Sequence, residues 1–321
     1  MNTKTVKASA RRADAVTKNA FSQRLKRDFT RNYELYLLAI PVVLYYLYFC
    51  YKPMLGVYMA FTDYTAKGGV FGSPFVGLKH FREFFGSIYF KRLLGNTLII
   101  SGTSIIFGFP APIILALLIN EVRNKYFCKV VQTISYLPHF ISMVVICSMI
   151  KTFVSDTGII GSFVNSLTGG NSSLLNNPKN FVPIYVISEI WQEVGWGSII
   201  YFSALMGIDQ QLYEAAEIDG AGRWKQTLHI TMPGIMPTVV VMLIIRLGNI
   251  LGVGYEKIIL LYNEAIYSTS DVISTFVYRK GLLEFDYSYS VAVGLFNSAV
   301  SMIFLFGSNA VSRKVQDTGL W

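Results

Sequence analysis

Apolar residues along this chain gather into long runs separated by mostly short polar links. Windows long enough to cross about 30 Å of hydrocarbon at 1.5 Å per helical residue fall at six places: Tyr33–Cys50, Asn96–Ile119, Val131–Phe153, Val182–Leu205, Val239–Leu261 and Val291–Val311. Each is rich in Leu, Ile, Val and Phe, whose insertion into lipid is favourable. The pattern predicts an all-α membrane protein with six transmembrane helices. The first helix is expected to continue past Pro53. Shorter stretches also carry helical spacing: Val76–Phe85 reads as a surface helix, and Ile159–Leu167 as a short helix within a link rich in Gly, Ser and Asn.

One link stands apart. Met206–Pro237 is far longer than two antiparallel helices need, and loops beyond about 12–15 residues usually have a function. Asp209 is placed to cap a helix over Gln210–Asp219, Gly220 and Gly222 break it, and Arg223–Ile230 forms a second helix closed by Pro233. In the first, Leu212, Tyr213, Ala215, Ala216 and Ile218 leave Glu214 and Glu217 to carry charge. In the second, Trp224 and Leu228 share a face with Ala221. The bland alternative is a surface hairpin that only braces the bundle.

Composition and charge sharpen this picture. With 53% hydrophobic and 15% charged residues in 321, an ordinary soluble domain is excluded. The net charge of +9 is a topology signal rather than a nucleic-acid signal. Residues 1–32 hold nine Lys/Arg against two acidic residues, which assigns them to the cytoplasm. The short Asn120–Val130 link and Arg313-Lys314 then face the same side, so both termini are expected inside. The Lys52–Gly95 link, with six Lys/Arg on the expected outside, runs against the rule, but long links weigh less in it. In the leader, Phe21, Leu25 and Phe29 recur among basic residues, either as an amphipathic helix on membrane lipid or as a disordered basic arm. The first span lacks a small-residue cleavage site after it and is expected to be retained. The expected organisation is a basic segment 1–32, a transmembrane domain 33–311 that contains the cytoplasmic loop 206–237, and a tail 312–321.

Candidate chemistry is sparse. Cys50, Cys128 and Cys147 lack metal or redox spacing, no metal or cofactor is expected, and no G-x-x-x-x-G-K-[ST] string is present to bind a nucleotide. A passage through the bundle needs aromatic and hydrogen-bonding groups that would be costly against lipid. Trp191, Gln192 and Trp196 in the fourth run, with Arg246 and Asn249 in the fifth, are the candidates for a substrate path. Trp191 and Trp196 also fit an interfacial belt, although Trp196 is deep for one. Arg246 suits either a carboxylate-binding wall position or a structural ion pair with Glu189 or Glu193. His139, placed near the cytoplasmic end of the third run, reads as packing, and Gly248 and Gly252 as a close helix contact.

The loop carries a resemblance to a known family. The string from Tyr213-Glu214-Ala215-Ala216 through Asp219-Gly220-Ala221 to Ile230-Thr231-Met232-Pro233 is similar to the EAA loop of ABC importer permeases, in the Asp-Gly-Ala form of sugar permeases. Gly72–Phe81, Asn96-Thr97-Leu98, Leu115–Glu121 and Gln132–Phe140 resemble the carbohydrate-permease branch of the LplB and YteP type, associated with oligosaccharides from complex, sometimes acidic, polysaccharides. The resemblance implies the permease fold of type I ABC importers and a coupling role for Glu214, Ala215, Ala216, Asp219, Gly220, Ala221 and Pro233. It also implies a second permease, two cytoplasmic ATPase subunits that hydrolyse the ATP, and an extracellular solute-binding lipoprotein delivering an oligosaccharide. An ion-coupled secondary sugar transporter is the rival from another class; it predicts inverted repeats, and no internal repeat is visible here.

Overall fold

The computed structural model describes residues 28, 30–316 and 319–320, so the basic leader and the helix considered at Phe21–Phe29 lie outside the described residues. The chain clusters into two units, Met1–Tyr58 and Met59–Trp321. Helix α1, Tyr33–Phe61, runs past Pro53 as expected and is 29 residues long. A π-helical turn at Tyr46–Tyr51 lies just ahead of that proline, where the missing N–H and the ring bulk would otherwise break the ladder.

The second unit is built almost wholly of helices; among the described residues the only β pairing is the isolated bridge Thr62–Phe75. Helix α2, Lys79–Gly86, is not the free surface helix that its spacing predicts, because Phe84 is buried against Phe90 and Phe296. Next come α3 (Ile88–Glu121) and the pair α4 (Lys125–Phe140) and α5 (Met143–Phe153), bent by 100° at their junction. Helix α6 is Ile159–Thr168, and α7 is Pro178–Leu205. The loop helix α8, Gln210–Ile218, leads into α9, Arg223–Gly248. After α10 (Tyr255–Leu261) and α11 (Ile273–Tyr278), the long helix α12, Tyr287–Gln316, closes the described chain.

Among the described residues, four helices, α1, α3, α9 and α12, are long and apolar enough to cross a membrane, and the bent pair α4/α5 makes a fifth if its halves are one span. Helix α7, at 28 residues, is about 42 Å long at the helical rise but carries Lys179, Glu189 and Glu193.

Three expectations change. The third run is no straight helix: Pro138 ends one half, and Ser142 caps the next by accepting from the Val145 amide. His139 therefore sits at an elbow rather than at a helix end. The fifth run, expected over Val239–Leu261, breaks at Gly248, because Gly248, Gly252 and Gly254 offer little helical stability and the Ile250 carbonyl is taken by the Ser101 hydroxyl of α3. Finally, Pro233 does not close the second loop helix. A π turn at Thr227–Thr231 precedes it, and α9 continues through Pro233 and Pro237.

Close backbone contacts set the packing around the centre. A Cβ on Gly195 would lie 2.0 Å from the Ser135 carbonyl oxygen, so only glycine lets α7 touch α4 beside the elbow. Gly248 makes room instead for a side chain, that of Leu305 of α12. Gly252 lies beyond the end of that helix and takes no part in a paired small-residue contact. At one end of the bundle Asp271, with 0% exposure, accepts from Arg279 Nη2 at 2.8 Å and Thr275 Oγ1 at 2.9 Å. Asn96 of α3 donates to the Ser268 and Asp271 carbonyls at 3.0 and 2.9 Å, which ties the segment between α10 and α11 to α3.

Candidate functional site

Helices α3, α5, α7, α9 and α10 enclose a cavity of about 580 Å³. Of the path residues expected from the sequence, Gln192, Trp196, Arg246 and Asn249 line it, and Trp191 does not. The reason is angular: at 100° per residue, Trp191 points away from the face that carries Glu189, Gln192, Glu193 and Trp196.

Side chains in the cavity wall pair with one another. Arg246 Nη2 donates to Glu189 Oε1 and to Ser104 Oγ, both at 2.6 Å, and the Ser104 hydroxyl donates to the other carboxylate oxygen of Glu189. Of the partners considered for Arg246, Glu189 is the one it meets. The closed ring compensates an arginine and a glutamate in a partly dehydrated place, where either alone would be costly. Because α9 starts at Arg223, Arg246 lies in its last turn, far from the 206–237 loop, and not a few residues into its span as the predicted run implied.

Around Trp196 the elbow contributes an unforeseen partner. The His139 imidazole stacks on the indole at 4.5 Å with 2° between planes, and His139 Nδ1 donates to Glu193 Oε2 at 2.9 Å. His139 does not itself line the cavity, but it packs on Trp196 and holds Glu193, which do. The signal was the Pro138-His139-Phe140 sequence ahead of a capping serine, which marks a break. Lys257 of α10 also lines the cavity; it lay within the fifth run but drew no role there.

The loop is organised differently. Asp209 caps α8 by accepting from the Gln211 amide at 3.0 Å. Gly220 has φ +73°, and the Gly220 and Ala221 amides donate to the carbonyls of Glu217 and Ala216 at 3.0 and 2.8 Å. This is a Schellman ending, which needs a left-handed residue just past the helix. Tyr213 Oη meets Thr231 Oγ1 at 2.9 Å, Gln226 Nε2 donates to the Ala221 carbonyl at 3.0 Å, and Arg223 faces Glu121 at 3.8 Å. Glu214, Ala215 and Asp219 are exposed and Ala216 is half-buried. Beside them Ile218 is 87% and Trp224 74% exposed, so an apolar surface projects from a braced loop.

Among the described residues no group of His, Cys, Asp and Glu side chains could hold a metal ion. The family model for the binding-protein-dependent transport system inner membrane component matches residues 108–317.

The chain belongs to this family of importer permeases.

It is accordingly a multi-pass membrane permease that leaves ATP hydrolysis to a separate subunit. The permease is 45% identical over 298 residues to protein LplB of Bacillus subtilis (strain 168), covering 92% of each chain. It is 41% identical over 320 residues to YteP of the same organism, a polygalacturonan/rhamnogalacturonan transport system permease protein, covering 99% of this chain and 100% of that one. A chain in the crystal structure of a bacterial ABC transporter involved in the import of the acidic polysaccharide alginate superposes with a TM-score of 0.84 at 44% identity, covering 91% of this permease and 99% of that chain. In the alginate transporter solved with its alginate pentasaccharide-bound periplasmic protein, the corresponding values are 0.85 and 45%, with 92% and 100% covered.

Proposed function

We propose that this permease forms, with a second permease, the path by which an ATP-driven importer moves an oligosaccharide released from a polysaccharide, delivered by a solute-binding protein. In this reading the chain crosses the membrane six times, α7 being the most polar crossing, with both termini in the cytoplasm. The observation that carries the reading is that one helix, α9, begins in the exposed loop at Arg223 and ends in the cavity wall at Arg246. The two residues are separated by about 35 Å of helix. A displacement imposed on the loop thereby reaches the cavity.

The loop supplies the ATPase contact. Ile218 and Trp224 are the apolar anchors for a groove in the ATPase subunit, Ala215 and Ala216 permit close approach, and Glu214 and Asp219 offer charge at the rim. Gly220 and Ala221 hold the ending that sets the angle between α8 and α9, and Pro233 follows the π turn at which α9 leaves the loop. In the cavity, the Trp196 ring is a stacking surface for a sugar, Gln192 and Asn249 supply hydrogen bonds, and the Arg246–Glu189 pair holds the wall. The family assignment displaces the ion-coupled alternative.

The test is crosslinking in the complete importer. Cysteines at Ala215 or Ala216 should crosslink to the ATPase subunit, and a cysteine at Gln210 should label only after permeabilisation, while one at Asn171 labels from outside. No crosslink from either alanine position, together with labelling of Gln210 from outside, would sink both the docking role and the orientation.

A further inference from the structure

The charges that line the cavity divide into those already matched and two that are not, the exposed Glu256 and the buried Lys257. Arg246 is held by Glu189 and Ser104, and Glu193 is held by His139. Lys257 is 3% exposed, yet its ammonium makes a single hydrogen bond, to the Tyr185 carbonyl at 3.3 Å. It also lies over the Tyr185 ring, 4.9 Å from the centroid. Among the described residues no carboxylate comes within ion-pair distance of it. An ammonium has three donors, so two remain unused in the wall of the cavity.

A buried cation with no counter-ion is costly, and such groups are retained where something arrives to compensate them. Glu256 is next in sequence and also lines the cavity, but it is exposed and its charge is solvated and screened. The field of Lys257, within a wall of low polarity, is not screened in that way. The guanidinium of Arg246 would suit a carboxylate by shape, but its carboxylate is already present in the protein.

We propose that Lys257 is the specificity-determining residue of the cavity, the group that accepts a carboxylate of the passing sugar and so favours acidic oligosaccharides over neutral ones. This rests on the reading of the cavity as the sugar path. A uronate carboxylate accepts the two free N–H donors and supplies the missing counter-charge. The Tyr185 carbonyl and ring hold the ammonium in place between passages.

The experiment uses the complete importer in proteoliposomes with its own binding protein. ATP-dependent uptake is measured for tetragalacturonate and for its carboxyl-reduced, neutral counterpart, with Lys257→Met and Lys257→Arg in this permease. Lys257→Met keeps the length and apolar stem of the side chain and should raise the KM for the acidic sugar by about 10- to 100-fold, the scale of one lost charge-assisted hydrogen bond. Its ratio to wild type for the neutral sugar should stay within about 2-fold, and Lys257→Arg should recover acidic uptake. A packing role reverses this order, since Met fits a tight wall better than Arg. Equal losses for both sugars, unchanged acidic uptake in Lys257→Met, or a wild-type importer that prefers the neutral sugar would each overturn the inference while ATP-dependent uptake leaves the importer reading standing. A wild-type complex with no ATP-dependent uptake of any oligosaccharide would remove that reading and the inference with it.

Discussion

The 206–237 loop and the cavity lie at the two ends of one helix, yet they are specified in opposite ways. The loop between Asp209 and Thr231 is held mainly by bonds within itself: the Asp209 cap, the Schellman ending at Gly220, the Gln226–Ala221 contact and, across 18 residues, the Tyr213–Thr231 contact. The cavity is held by bonds across the bundle, such as Ser104 to Glu189, Arg246 to Ser104, and His139 to Glu193. A surface that must match a separate subunit gains from a self-contained fold that keeps its shape while the bundle moves. A wall that must open and close is better made from contacts between helices that can exchange partners. Under the proposed reading, local specification goes with docking and distributed specification with passage.

The contrast can be broken most severely at Gly195. A Cβ there meets the Ser135 carbonyl at 2.0 Å, and neither backbone can yield without parting α7 from α4. Gly195→Ala should destabilise the permease by about 3 kcal/mol, at the upper end of overpacking costs, and should abolish uptake. Thermal unfolding of the purified importer checks it; an unchanged midpoint would mean that the contact is not maintained.

Next in size is Gly220→Val. At φ +73° a β-branched residue carries strain of about 1–3 kcal/mol, confined to a loop with local bonds. Membrane insertion and sugar binding should survive, while substrate-stimulated ATPase activity falls about 10-fold. Glu214→Lys should act in the same direction by placing the wrong charge at the rim. Full stimulation in both variants would separate the loop from coupling.

A milder effect is expected from Arg246→Ala, which leaves Glu189 without its partner in a half-exposed place. The cost is about 1–2 kcal/mol after allowing for solvent. Uptake should drop while the ATPase subunit stays bound, and adding Glu189→Gln should recover part of the loss. Strictly additive effects in this double-mutant cycle would show that the pair is not coupled.

The smallest test compares two tryptophans. Trp196→Ala removes the ring stacked on His139 and should lower uptake about 10-fold, the value of one aromatic contact. Trp191→Ala, off the cavity, should change it by less than about 2-fold. Equal losses would mean that both act as general packing.

How much of this was legible in the sequence follows from the same division. The loop was readable because its helix-ending signals lie within a few residues: the cap at Asp209, the break at Gly220 and the motif itself are contiguous. The apolar runs located the helices, since periodicity and length are also local. What could not be read were the places where distant groups decide. The end of α9 at Gly248 depends partly on Ser101 of α3 taking the Ile250 carbonyl. The role of His139 depends on an elbow that brings it against α7, and Pro138 alone did not announce a 100° bend. Trp191 was assigned to the path as an aromatic of the same run as Gln192 and Trp196, but a helix turns 100° between neighbours. Lys257 went without a role because nothing in a linear run shows which cation lacks a partner in three dimensions.

The π turns at Tyr46–Tyr51, Ser104–Gly108 and Thr227–Thr231 are each followed, two residues on, by a proline: Pro53, Pro110 and Pro233. A wide turn already lacks the regular i to i−4 register, so the proline forfeits little there, and the helix gains a place where it can flex with few hydrogen bonds to break. In mechanical terms α9 is an articulated strut with its knuckle beside the loop. Such a strut delivers thrust along its axis but gives way to sideways load. Sideways displacement of the loop would be absorbed at the knuckle, and displacement along the axis of α9 would be carried toward Arg246.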